Sequence, residues 1–304
     1  MQRRGVGRWG VGRSVAMAML WLAVGCAGAT RGPGASFRPD RIRVTTSGTG
    51  PDVVLISGLA SSAEQVWGGT VAAVPGYRYH LVQVAGFAGV SPGGNAGDGP
   101  VVEPVADEIA RYIATRRLDR PAVVGLSMGG SLGMLIAARH PQAISKLLVV
   151  DMVPFMGLFF GPASATPDRL RPVAAGVRDA MSGSDSAYRR TMQEGLAAMV
   201  RTDSLRGRVI ADGAASDRSV AGRAMYDLIL LDLRPEMPGV RVPVTVLYVH
   251  GPHVPLSAAA TDSLYRAAFA TTPRVTLTRV PDAYHFIMLD QPRRFADALR
   301  AFLR

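Results

Sequence analysis

Ala122-Val123-Val124-Gly125-Leu126-Ser127-Met128-Gly129-Gly130-Ser131 constrains this chain more than any other stretch. The run before Gly125 is apolar without alternation, as in a strand of a parallel sheet covered on both faces. The residues after Ser127 continue as a helix to about His140-Pro141. A strand that turns this tightly into a helix leaves no room for side chains two positions either side of the turning residue, and Gly125 and Gly129 supply that room. Ser127 is thereby pushed out at the carboxyl end of a strand, where open α/β sheets keep their ligand sites. Gly-x-Ser-x-Gly alone recurs by chance in glycine-rich chains, so its weight comes from the strand before it, the helix after it and its partners elsewhere.

Around this turn the chain alternates strands and helices. Arg41 to Thr46 reads as an edge strand closed by the turn Ser47-Gly48-Thr49-Gly50-Pro51, and Val53 to Ile56 as a buried strand entering the small-residue loop Ser57 to Ser62. Helical character over Glu64 to Ala73, a strand over Tyr79 to Val84, a helix over Val101 to Arg117 and a strand over Ile144 to Val150 follow. Such alternation predicts a mostly parallel, doubly wound sheet with helices on both faces. From Pro154 to Pro238 the rhythm breaks: Phe155 to Phe160 is apolar and irregular, and Arg169 to Leu233 is helical with interruptions. Strand, helix, strand and closing helix then resume over Val244 to Val249, Ser257 to Ala270, Arg274 to Val280 and Gln291 to Leu303. The expected organisation is a leader over residues 1–29, a Gly/Pro tether over 30–40, an α/β core over 41–153 and 239–304, and an inserted helical cap over 154–238.

The leader differs from the rest in composition. Arg3, Arg4, Arg8 and Arg13 precede an apolar run, Val15 to Val24, of signal-peptide length and too short to span a membrane comfortably. The single cysteine of the chain, Cys26, follows the run directly and is similar to the lipidated cysteine of a bacterial lipoprotein signal. Ala27-Gly28-Ala29 offers a competing cut for ordinary signal peptidase. The expectation is an exported bacterial protein, periplasmic or tethered to a membrane through Cys26. One cysteine excludes an intramolecular disulfide, so the fold stands on core packing. The formal charge of +11 comes almost wholly from scattered arginines, Lys146 being the only lysine, with no basic stripe interleaved with aromatics. Nucleic-acid binding is therefore not expected.

A serine hydroxyl is a poor nucleophile near neutral pH and needs a base. His285, in a loop after the last strand, is the best placed of the five histidines. His80 lies within a strand, His140 ends a helix, and His250 and His253 share a loop without further metal ligands. The backbone N–H of Met128, first in the helix after Ser127, is a donor for an oxyanion. No phosphate loop or dinucleotide fingerprint occurs, and no cofactor is implied.

Gly125-Leu126-Ser127-Met128-Gly129-Gly130, the Ser57-Gly58-Leu59 loop and Tyr284-His285-Phe286-Ile287-Met288-Leu289-Asp290-Gln291-Pro292 together resemble the α/β-hydrolase superfamily, over roughly Val44 to Arg304 and most closely its carboxylesterase-type members with a helical cap. The resemblance implies Leu59 N–H as the second oxyanion donor, with Ser57 where the family's loop commonly has His. It also implies an acid partner for His285. The family usually carries that acid in the loop after the strand that follows the cap, but here His250-Gly251-Pro252-His253-Val254-Pro255 has no carboxylate. Some members carry it at the end of the preceding strand, which is Asp151 here; Asp262 and Asp282 are outsiders.

The expected activity is cleavage of a small carboxylic ester through an acyl-enzyme, with Phe155 and Phe159 lining a substrate pocket beneath the cap or simply filling core. Perhydrolase, lyase or carbon–carbon hydrolase chemistry on the same fold stays open, as does a decayed, lipid-anchored binding protein. Substrate identity and oligomeric state are not encoded in these motifs.

Overall fold

The computed structural model describes residues 38–162, 164–252 and 256–304. Residues 1–37, and with them the leader, Cys26 and most of the tether, lie outside the described residues, as does His253. Among the described residues, no helix is long and apolar enough to cross a membrane.

The core is a seven-stranded sheet. In chain order its first half contains β1 (Ile42–Ser47), β2 (Asp52–Ile56), α1 (Ala63–Ala73), β3 (Arg78–Val84), α2 (Val102–Thr115), β4 (Ala122–Leu126), α3 (Met128–Arg139) and β5 (Lys146–Val150). The spatial order is β1-β3-β2-β4-β5, continued by β6 (Val244–Tyr248) and β7 (Val275–Arg279). Only β1 runs antiparallel, pairing with β3 from Ile42↔Val84 to Ser47↔Tyr79. The weak alternation of β1 fits this edge position, where one face and one row of backbone groups meet solvent. The central strands have no such freedom: β4 is buried at every residue, and β2 and β5 at every residue after their first. Helices cover both faces, which is why these strands read as unbroken apolar runs.

Between β5 and β6 stand four further helices, α4 (Pro167–Ser182), α5 (Asp185–Met199), α6 (Asp203–Ala214) and α7 (Arg218–Leu230). They resolve the single interrupted helical stretch expected from sequence. The apolar run at its start forms a short 3-10 turn, Met156–Phe159. The neck of this segment is closed by the bridge Phe155↔Asp232 and by Leu233 N–H donating to Pro154 O at 2.9 Å. Two of its carboxylates reach helix starts in the sheet half, where unpaired N–H groups and the positive end of the dipole favour an anion. Asp227 Oδ2 accepts from Val101 N–H at 2.6 Å and Val102 N–H at 3.1 Å, capping α2, whose own first residue has no side-chain cap. Asp212 accepts from Ser62 N–H at 3.3 Å and from the Gln65 amide at 2.6 Å at the start of α1. Burial raises both carboxyls above their ordinary value against the pull of those donors.

After β6 come α8 (Ala258–Ala268), β7, the short α9 (Ile287–Asp290) and α10 (Pro292–Leu303). Pro292 opens α10 as expected, where its missing N–H costs nothing.

Candidate active site

The turn at Ser127 has the geometry its glycines imply. Ser127 adopts φ 54°, ψ −120°, a left-handed conformation that an L-residue enters only under constraint. The constraint is visible on both sides. A Cβ on Gly125 would overlap the backbone of Gly129 and Gly130, and one on Gly129 would overlap Ile56 O. The strand end is held by Ser127 N–H donating to Val150 O at 2.8 Å, and α3 starts with Gly130 and Ser131 N–H donating to Ser127 O at 2.7 and 3.1 Å. Ser127 itself stays partly exposed while Met128 beside it is buried. Met128 is the first residue of α3, so its N–H has no acceptor one turn earlier within the helix.

The Ser57–Ser62 loop lies against this turn: a Cβ on Gly58 would stand 3.3 Å from Ser127 Cβ. The loop is clamped by side chains. Ser61 Oγ donates to Leu59 O at 3.1 Å, the Gln83 amide donates to Ser61 O at 3.2 Å and accepts from Ala63 N–H at 2.8 Å, and Asp212 holds Ser62. Leu59 follows Gly58 in this clamped loop, and its carbonyl is held by Ser61. Ser57 is buried, and its hydroxyl has no hydrogen-bond partner among the described residues.

Asp151 follows β5 directly and, like Ser127, has a positive φ, 52°. Its N–H donates to Leu247 O at 2.7 Å, so the turn away from β5 is made against the neighbouring strand β6. The carboxylate is shared out: Oδ1 accepts from Val249 N–H at 3.1 Å and from Tyr265 O–H at 3.0 Å, and Oδ2 lies 2.6 Å from His285 Nδ1. An ionised carboxylate only accepts, so Nδ1 is the donor of this contact, and in a neutral imidazole with that tautomer Nε2 is the nitrogen without a proton. Both side chains are mostly enclosed, 6% exposed for Asp151 and 13% for His285. The loop bearing His285 is fixed by Tyr284 N–H on Asp290 Oδ2 at 2.9 Å, and Asp290 also accepts from Arg201 and Thr202 N–H ahead of α6. His285 meets the ring of Phe286 edge-on, with centroids 5.6 Å apart.

The structure therefore brings Asp151 to His285, and Ser127 to both the end of β5 and the Ser57–Ser62 loop. The two outsiders are occupied elsewhere: Asp262 with Tyr248 O–H and Arg279, each at 2.9 Å, and Asp282 with Arg201 at 2.8 Å. His80 is buried between Asp52 and Tyr112, both at 2.8 Å, and His140 is 3.7 Å from Asp107. Phe155 is fully buried in a cluster with Ala165, Leu170, Ala174 and Ile229, with the Arg234 guanidinium 4.4 Å over its ring. Core packing and a cation therefore occupy the Phe155 ring, whereas Phe159 is 37% exposed. Among the described residues, no group of His, Cys, Asp or Glu has the arrangement of a metal site.

Three contributors are absent from the motifs. Tyr265 falls on a buried i, i+4 stripe of α8 with Thr261 and reads from sequence as core aromatic. Val249 contributes only its backbone. Gln83 has a weak signal, a half-buried amide between Val82 and Val84 near the end of β3.

The sequence profile described as the alpha/beta hydrolase family matches residues 53–298. A pimeloyl-[acyl-carrier protein] methyl ester esterase from Aeromonas hydrophila subsp. hydrophila is 26% identical over 271 residues, covering 86% of this chain and 99% of the relative. Among solved structures, the enol-lactonase from Burkholderia xenovorans LB400 matches with a TM-score of 0.67 at 20% identity, covering 86% of this chain and 96% of that one. An esterase from Exiguobacterium antarcticum matches with a TM-score of 0.67 at 19% identity, covering 86% and 94%. The two structures speak for the fold, and the profile covers both the Ser127 turn and the His285 loop: the chain belongs to the alpha/beta hydrolase family.

Proposed function

We propose that this protein is a serine hydrolase that cleaves a small carboxylic ester through an acyl-enzyme. The observation that carries the reading is the 2.6 Å contact between His285 Nδ1 and Asp151 Oδ2, made at the end of β5, the strand end to which Ser127 N–H is also tied through Val150 O; in this reading Nε2 is the base that serves Ser127. In the first half-reaction Ser127 Oγ attacks the ester carbonyl carbon as His285 Nε2 takes its proton. The imidazolium is stabilised by Asp151, and the oxyanion by the N–H groups of Met128 and Leu59. Collapse breaks the carbon–oxygen bond to the alcohol, which leaves with the proton from His285. Water then attacks the acyl-serine by the same route and releases the acid. No metal or cofactor takes part in these steps.

The relatives support an ester as substrate: their names speak of a methyl ester esterase, an enol-lactonase and an esterase. In this reading α4 to α7 form a cap over the site, within the insertion 154–238, and their side chains select the acyl and alcohol parts. Within residues 1–29 an export leader ends before Cys26, and Cys26, as the first residue after the cut, carries a lipid that tethers the enzyme to a bacterial membrane, supported by the basic-then-apolar pattern that ends at the only cysteine.

Hydrolysis of p-nitrophenyl acetate and butyrate by protein lacking the leader tests the chemistry. Parent protein turns over and is labelled by a fluorophosphonate at Ser127, and Ser127→Ala and His285→Ala lose both activities. A parent that neither turns over nor labels overturns the reading in favour of a binding protein. Fatty-acid labelling in cells, present in the parent and lost in Cys26→Ser, tests the tether.

A further inference from the structure

Ester cleavage by a serine, a histidine and an acid does not require the second neighbour that the Asp151 carboxylate has here. Tyr265 on α8 donates its phenol O–H to Oδ1 at 3.0 Å, on the other side of the carboxylate from His285. The Tyr265 side chain is 3% exposed and lies flat on Tyr248 of β6, with centroids 4.1 Å apart and planes 17° from parallel. Tyr248 is tied down in turn: its O–H donates to Asp262 Oδ1 at 2.9 Å, and Asp262 also meets Arg279 of β7 at 2.9 Å. Burial first, and the charge of Asp151 second, push the Tyr265 phenol well above its ordinary value. It therefore stays an O–H across any working pH and only donates to the carboxylate.

The arrangement follows from where the acid sits. Asp151 leaves the end of β5 and extends across the end of β6, where its Oδ1 meets the backbone N–H of Val249. The backbone donor holds Oδ1 at one point, opposite the contact that Oδ2 makes with His285. A second donor on a helix, held by ring stacking, fixes the plane as well. A hydrogen bond to one oxygen also withdraws charge from the other, so it tunes how strongly Oδ2 accepts from Nδ1–H.

We propose that Tyr265 is a positioning residue for the ester-cleaving site: through Asp151 Oδ1 it sets the plane and the acceptor strength of the carboxylate edge that faces His285. This rests on the roles given above to Ser127, His285 and Asp151. Tyr265 touches neither substrate nor Ser127 in this scheme and acts only through Asp151.

The test compares the parent with Tyr265→Phe, which keeps the stack and removes the donor, and with Tyr248→Phe, which alters the same stack without touching Asp151. Two quantities are read: kcat and KM for p-nitrophenyl butyrate, and the downfield proton resonance of the His285 Nδ1–H, assigned by its loss in Asp151→Asn. Tyr265→Phe lowers kcat about tenfold, leaves KM within about twofold and moves the resonance further downfield, because Oδ2 regains charge. Tyr248→Phe stays at the parental values in both. A parental kcat and an unmoved resonance in Tyr265→Phe overturn the proposal, as does a Tyr248→Phe that reproduces its effects, which would make the role one of packing. If Ser127→Ala and Asp151→Asn keep parental turnover, the underlying reading of the site fails and takes this one with it. If both are inactive while Tyr265→Phe is parental, Tyr265 alone has been misassigned.

Discussion

Asp151→Asn is the most informative single change, because the surroundings of Asp151 decide how an amide would sit. Among the described residues, Oδ1 accepts from Val249 N–H at 3.1 Å and Tyr265 O–H at 3.0 Å, and Oδ2 lies 2.6 Å from His285 Nδ1. An asparagine meets this demand by turning its carbonyl oxygen to the two donors. The opposite orientation would set an NH2 against two buried donors and cost at least two hydrogen bonds. In the favoured orientation the amide NH2 faces Nδ1 and makes it an acceptor. His285 then holds its proton on Nε2, the nitrogen that must be free to take the proton of Ser127. The enzyme is left folded with the wrong tautomer. The loss expected is about 10⁴-fold in kcat, equivalent to about 5.4 kcal/mol of transition-state stabilisation. KM and melting temperature change little, since volume and hydrogen-bond count are kept. Asp151→Ala provides the contrast: without an amide donor the imidazole chooses its own tautomer, so Ala retains more activity than Asn although it removes more of the side chain. Stopped-flow release of p-nitrophenolate from parent, Asn and Ala variants measures this. An Asn variant within about tenfold of the parent, or one more active than Ala, would refute the tautomer argument.

Other consequences concern the scaffold. Gly129→Ala places a methyl group into the backbone of Ile56 and Ser57, which no side-chain adjustment relieves, so a loss of about 3 kcal/mol or more in a denaturant titration is expected, with expression of folded protein falling accordingly. Asp227→Ala leaves Val101 and Val102 N–H without their acceptor at the start of α2 and costs about 1–2 kcal/mol in the same assay. Burial raises the folded-state carboxyl of Asp227, so the folded protein binds this proton more readily than the unfolded chain; the stability of the parent relative to Asp227→Asn therefore grows as pH falls through the raised value and levels off below the ordinary carboxylate value. Asp52 behaves oppositely. The Arg78 hydrogen bond, with His80 beside it, holds its carboxyl below the ordinary value, so the advantage of the parent over Asp52→Asn is full at neutral pH and fades as pH drops through the depressed value; thermal melts across the acid range give both curves.

What the sequence by itself determined is local. The Ser127 turn is settled by steric demands within five residues, and the strand and helix alternation by apolar periods within each segment. Even the edge role of β1 follows from its weak alternation. The loop position of His285 after the last strand was legible in the same way, and the structure adds its contact with Asp151.

The acid was not legible in that way. Asp151 and His285 are separated by 134 residues, and the donor Val249 lies 98 residues from Asp151. Their meeting depends on β5 and β6 being neighbours in the sheet although four helices lie between them in the chain. That adjacency lets a carboxylate from the end of one strand occupy the space beyond the end of the next, where His250 to Pro255 offers none. The docking of α6 and α7 by Asp212 and Asp227 is of the same kind, because a carboxylate on a helix carries no mark of the distant N–H it will cap. Tyr265 shows the limit most plainly. An aromatic on a buried helical stripe looks like core from its spacing alone, and only the placement of α8 beside β6 turns its hydroxyl toward Asp151.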